Sequence, residues 1–148
     1  MNTLETNTDL SMAQIVTLLG TDYLNKTPAD SMPKARCAPV AFANGSPILV
    51  LDYEQKNGDV YKLIDSITPD PFVNYYAVIT GGWAAPNDGN DMLPPSLHPE
   101  RKRVELLIVA GRDGSMASAL QMAGNEELTI DEGKATGALA DAVAGIFR

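Results

Sequence analysis

From Ala38 onward the chain is cut into short apolar runs by turn-forming dipeptides, and this punctuation limits the fold more than any other feature. APVAFA is followed by Asn44-Gly45, PILVLDYEQ by Asn57-Gly58, and then comes VYKLI. Asn-Gly accepts positive φ at both central positions, which a type I′ hairpin turn requires. The pattern predicts three antiparallel strands in a meander. A proline-containing link, Thr68-Pro69-Asp70-Pro71, leads to a fourth strand over Tyr75 to Thr80. A fifth is expected over Arg103 to Ala110. The turn Gly111-Arg112-Asp113-Gly114 then joins it to a sixth over Ser115 to Met122. In that sixth strand Met116, Ser118, Leu120 and Met122 share one face, opposite Ala117, Ala119 and Gln121. A short further strand fits Leu128 to Ile130.

The two ends of the chain carry a different period. Met12, Ile15, Val16 and Leu19 fall at the i, i+3, i+4, i+7 spacing of one helical stripe, with Asp9 or Ser11 as cap and Tyr23 extending it. This helix ends before Pro28. Leu139, Val143, Ile146 and Phe147 mark a second helix over 136–147, in which Gly137 and Gly145 lower the intrinsic propensity by about 1 kcal/mol each. At 148 residues the chain is one α+β domain spanning residues 1–148. Its expected core is a single antiparallel sheet of five or six strands with N- and C-terminal helices covering one face.

Charge narrows the partners. Lys and Arg number 11 against 19 acids, a net charge of −8, which disfavours broad binding to nucleic acid and favours a basic partner. Mimicry of nucleic acid by the acidic surface is a lesser reading of the same charge. The single Cys37 can form no internal disulfide, and Met1 to Asp9 lacks the positive segment of a secretion signal. No apolar run approaches the roughly 18 residues needed to span a bilayer. The expectation is a cytoplasmic protein that does not enter a membrane. The sequons at Asn25 and Asn44 carry no weight without a secretion signal.

Several chemistries lose support. One His and one Cys fall short of a zinc site unless carboxylates join them, and His98-Pro99-Glu100 lacks the downstream Cys pair of a deaminase. Phosphate-loop and dinucleotide-binding glycine patterns are both missing, so no cofactor is expected. Asn87 to Asp91 offers oxygen ligands without the spacing of an EF-hand, and reads as turn chemistry. A Cys37/His98 nucleophile pair is conceivable, although Cys37 opens an apolar run where a buried thiol is the usual outcome.

What remains is the long loop over residues 81–101. It carries the only Trp, Trp83, and the only His, His98, and runs into Arg101-Lys102-Arg103. Trp83 is expected where a strand breaks into the loop, as a lid on the core or as a contact. Pro94, Pro95 and Pro99 stiffen the approach to the fifth strand. Arg101 and Arg103 can engage a carboxylate through their forked donors. Trp83, His98, Arg101 and Arg103 are therefore the candidate binding residues.

Gly82-Trp83-Ala84-Ala85-Pro86 followed by Pro95-Ser96-Leu97-His98-Pro99-Glu100-Arg101-Lys102-Arg103-Val104 resembles a segment that recurs in small proteins of actinobacteria and their phages. A similar trailing Gly137 to Ala142 accompanies it. The resemblance covers about a sixth of the chain and implies no activity, but it raises the expectation of a phage or phage-like protein, in host cytoplasm or virion. The leading expectation is a non-enzymatic interaction protein, an accessory factor or assembly subunit that binds a protein partner through residues 83–103; a homo-oligomer is compatible with this. The alternatives are a small hydrolase or transferase using His98 with Asp88, Asp91 or Glu100, and a phage virion structural subunit.

Overall fold

The computed structural model describes residues 4–5, 8–26, 35–50, 53–55, 59–84, 97, 100–122, 127–132 and 138–147. Its first long element is a helix, α1, over Met12–Tyr23. Ser11 caps it, its hydroxyl accepting from the Gln14 N–H while the Gln14 side chain accepts from the Ser11 N–H, so two otherwise unsatisfied donors are met reciprocally. Ile15, Val16 and Leu19 are fully buried, as the stripe requires. The helix closes at Leu24, and Asn25 follows in the left-handed region at φ 60°.

The strands are β1 (Leu4–Glu5), β2 (Ala35–Ala43), β3 (Ser46–Leu49), β4 (Tyr53–Gln55), β5 (Tyr75–Ala84), β6 (Lys102–Gly111), β7 (Met116–Met122) and β8 (Thr129–Glu132). All pairings are antiparallel, in the order β1-β2-β5-β6-β7-β8, with β3 and β4 also paired to β2. The α+β class and the antiparallel sheet follow the sequence. Asn44 and Gly45, at φ 52° and 82°, form the expected turn between β2 and β3.

Three details of the expectation are corrected. VYKLI is not a third meander strand but a helix, α2, over Val60–Asp65. Its Val60, Leu63 and Ile64 are buried at i, i+3 and i+4, a helical spacing that the β-branched composition obscured, and the Asp59 carboxylate caps it by accepting from the Lys62 N–H at 3.1 Å. PILVLDYEQ yields the two strands β3 and β4 rather than one; Asn57-Gly58 lies outside the described residues. The third correction concerns the layers, since helices cover both faces of the sheet instead of one.

Strand alternation builds those layers. Val40, Phe42, Ala77, Ile79, Leu107, Val109, Ala117 and Ala119 face α1 in one core. Ala35, Cys37, Tyr76, Val78, Ile108 and Ala110 turn to the other side. There they meet α2 and a short C-terminal helix, α3, over Ala138–Ala144, continued as a 3₁₀ turn over Gly145–Phe147. The C-terminal helix is shorter than the expected 136–147. Gly145 stands where the helix tightens, and Val143 and Ile146 still bury the predicted apolar face. Helix and sheet approach closely at Gly20, where a Cβ would stand 3.3 Å from that of Ala119.

Candidate functional site

The longest pairing in the sheet is β5 with β6, which runs from Tyr75↔Gly111 to Ala84↔Lys102. The neighbours stop earlier. Pairing of β2 to β5 ends at Arg36↔Ile79, and pairing of β7 to β6 ends at Val104↔Met122. Among the described residues, the rungs Trp83↔Arg103 and Ala84↔Lys102 thus form a two-stranded arm beyond the six-strand path. Residues 85–96, which follow in sequence, lie outside the described residues. Trp83 is the last residue but one of β5, whose pairing runs through Ala84 rather than stopping at the expected Thr80. His98 and the acidic run Asn87 to Asp91 lie outside the described residues.

The three cations of the run separate in two ways: alternation turns Lys102 away from Arg103, and Arg101 precedes the first residue of β6. Arg101 and Lys102 are exposed, whereas Arg103 is 5 % exposed. Arg103, Glu105, Leu107 and Val109 fall on one face of β6, the face that α1 covers further along. Glu105 is 4 % exposed, and Gln121, directly opposite it on β7, is 7 % exposed. These three are the buried polar side chains among the described residues. Burying charge is costly unless hydrogen bonds compensate, and Glu105 shows how this is done. Its Oε2 accepts the backbone N–H of Asn25, the left-handed residue just past α1, and so fixes where the chain leaves the helix. Beside it, Gly20, Thr21, Leu24, Asn25, Lys26, Gln121 and Leu128 enclose a cleft of about 400 Å³.

Sequence reasoning placed Arg103 with Arg101 but missed Glu105, Gln121 and Asn25. The signal for Glu105 was legible: it interrupts the apolar face of β6 two residues after Arg103. What could not be read is its partner, which lies 80 positions away in sequence.

At the exposed end of the arm, Arg101 and Lys102 offer charged donors, and Leu97 is 63 % exposed. Exposed cations suit a surface that carries carboxylates. Cys37 sits far from such chemistry, fully buried in the core shared with α2 and α3. Among the described residues no group of three or more His, Cys, Asp or Glu is arranged to hold a metal ion, and no described helix is long and apolar enough to cross a membrane.

A second polar cluster lies at the other end of β6. Arg112 stacks over the Phe147 ring at 4.8 Å and donates to the carbonyls of Asp70 and Val73 at 2.8 Å each. Asp113 accepts from both the hydroxyl and the N–H of Ser115, and these bonds hold its carboxyl below the usual range. Burial, then the charge of Asp113, pushes the Tyr75 hydroxyl up. This cluster is committed to holding turns together. No family model, curated protein or solved structure matches the chain.

Proposed function

We propose that this chain is a non-enzymatic interaction protein that binds a protein partner through the end of the β5–β6 arm, residues 83–103. The observation that carries this reading is the division of labour within Arg101-Lys102-Arg103. Arg103 is buried in the base of the arm, while Arg101 and Lys102 stand exposed on a ribbon that, among the described residues, runs past its neighbours. An isolated two-stranded ribbon has little stability of its own, and a buried base makes it a firm platform for what it carries. Trp83 and His98 join the proposed contact residues on the strength of the sequence alone. The setting, an accessory factor or assembly subunit of a phage or phage-like system, rests on the resemblance of the segment.

Affinity capture with the wild-type chain and with the double variant Arg101→Glu/Lys102→Glu tests the reading. The expected result is a stoichiometric protein partner held by the wild type, released by added salt and lost in the double variant. A partner retained equally by both proteins removes the arm from the contact.

A further inference from the structure

We propose that the open edge of the sheet at β8 receives an extended segment of a partner protein, in which basic and apolar residues alternate, as an added strand. Its apolar side chains enter a groove along the neighbouring flank of α1. This surface is separate from the arm and does not depend on it. β8 ends the strand order, and among the described residues nothing pairs with its outer side. Thr129, Asp131 and Glu132 are exposed. A strand left in this way presents a row of backbone donors and acceptors, which a second extended chain meets without any rearrangement of the fold.

Alternation fixes which side of an added strand meets what. Ile130 packs against the core under α1, and the Glu132 Oε2 accepts the Ala13 N–H at 2.9 Å, so these two residues face α1 while Thr129 and Asp131 face the other way. On the α1 side, the flank of the helix carries a groove of about 330 Å³ lined by Leu10, Ala13, Gln14, Thr17 and Leu18. Ala13 is both a wall of this groove and the residue bonded to β8, so groove and edge adjoin. Leu18 is 39 % exposed in it. A strand added about 4.8 Å beyond β8 turns every second side chain toward this flank and the others toward the side of Asp131.

Charge chooses the partner. The helix stretch from Thr8 to Tyr23 holds Asp9 and Asp22 and no Lys or Arg, and the edge stretch 126–132 holds Glu126, Glu127, Asp131 and Glu132 and again no Lys or Arg. Charge on an edge strand keeps like copies from pairing, and acids serve that end in a chain of net charge −8. The same field draws in a cationic segment. Guarding the edge calls for no apolar groove beside it, and the groove alone sets no sign of charge. Together they specify an occupant with apolar residues on the α1 side and basic residues on the side of Asp131.

Titration of the full chain into two labelled synthetic peptides of about seven residues, one alternating Lys and Val and one holding the same residues in two blocks, tests this by fluorescence anisotropy and amide hydrogen exchange. The alternating peptide should bind at low salt, more weakly at high salt, and about tenfold or more tighter than the block peptide. Its binding should slow exchange at amides within residues 129–132. Asp131→Lys, which reverses the charge of the edge, and Leu18→Gln, which removes apolar area from the groove without adding charge, should each weaken binding about tenfold or more. Both residues are exposed, so circular dichroism should stay unchanged. Equal affinity for the two peptides reduces the contact to net charge and overturns the proposal. Binding of neither peptide, binding that leaves the β8 amides unprotected, or binding that Leu18→Gln leaves untouched overturns it as well.

Discussion

The two ends of strand β6 solve opposite problems. At Gly111 the chain reverses within a tight turn whose polar groups are spent inside the fold: the Gly111 N–H donates to the Ser115 carbonyl, the Ser115 N–H and hydroxyl donate to Asp113, and Arg112 donates to the carbonyls of Asp70 and Val73 in the preceding link. At Lys102 the strand runs past its neighbours among the described residues, and the polar groups divide, Arg103 and Glu105 being buried, with Glu105 bonded to Asn25 past α1, while Arg101 and Lys102 are exposed. A strand end whose hydrogen bonds are spent locally is architecture. The other end places exposed charge above a buried polar base.

Both ends hang on the middle of β6, so the largest effect is expected there. Leu107 is fully buried in the core under α1, and Leu107→Ala should cost about 2–5 kcal/mol in denaturant unfolding, with both ends affected together. A smaller loss would mean that the ends are braced independently of the core.

Next come the two ends themselves. Glu105→Ala leaves the Asn25 N–H without its acceptor, an expected loss of about 1–3 kcal/mol. Gly111→Ala should fall in the same range of roughly 1–3 kcal/mol, since its new Cβ would stand 2.4 Å from the Ser115 hydroxyl oxygen and 2.7 Å from a carboxylate oxygen of Asp113. The comparison sharpens if only Glu105→Ala also weakens partner capture, and it breaks if Gly111→Ala weakens capture equally.

How far the sequence announced these ends differs as well. The turn at Gly111 was legible, because its residues fix their own local geometry. So were α1, the β2–β3 hairpin and the alternation of β7. The α2 segment was misread because Val60-Tyr61-Lys62-Leu63-Ile64 is short enough to satisfy both periods, and the cap at Asp59 decides for helix. At the other end, Arg101 and Lys102 were recognisable as a basic run. The burial of Arg103 and Glu105 was not, since burial depends on what packs over the strand, and the Glu105 partner, Asn25, lies 80 positions away where no local pattern encodes it. The second helical layer was missed for a similar reason: an antiparallel sheet can leave one face to solvent, and only the near-continuous burial of β2 and of the second half of β6 reveals two covered faces.

A smaller effect separates neighbours within the basic run. Arg101→Ala, on an exposed side chain, should change stability by no more than about 0.5 kcal/mol, whereas Arg103→Ala should destabilise clearly, through lost packing as well as lost charge. Equal effects on unfolding would undo the division of roles between the two arginines.

The smallest expected effect lies at the architectural end and depends on pH. Bonds from the Ser115 hydroxyl and then the Ser115 N–H hold the Asp113 carboxyl below its ordinary value in the folded chain. A carboxyl whose folded pKa is depressed contributes stability above its unfolded pKa, near 3.9, and loses that contribution as pH falls through the folded value. The group is largely solvated, so the contribution stays under about 1 kcal/mol. Thermal unfolding of wild type and Asp113→Asn, followed from neutral pH to below pH ~3, should therefore show a gap that is constant at neutral pH and narrows in acid. A gap that instead widens on acidification would mean that the ionised carboxylate opposes the turn, and that the Gly111 end of β6 is not the self-contained hinge of hydrogen bonds that sets it apart from the arm.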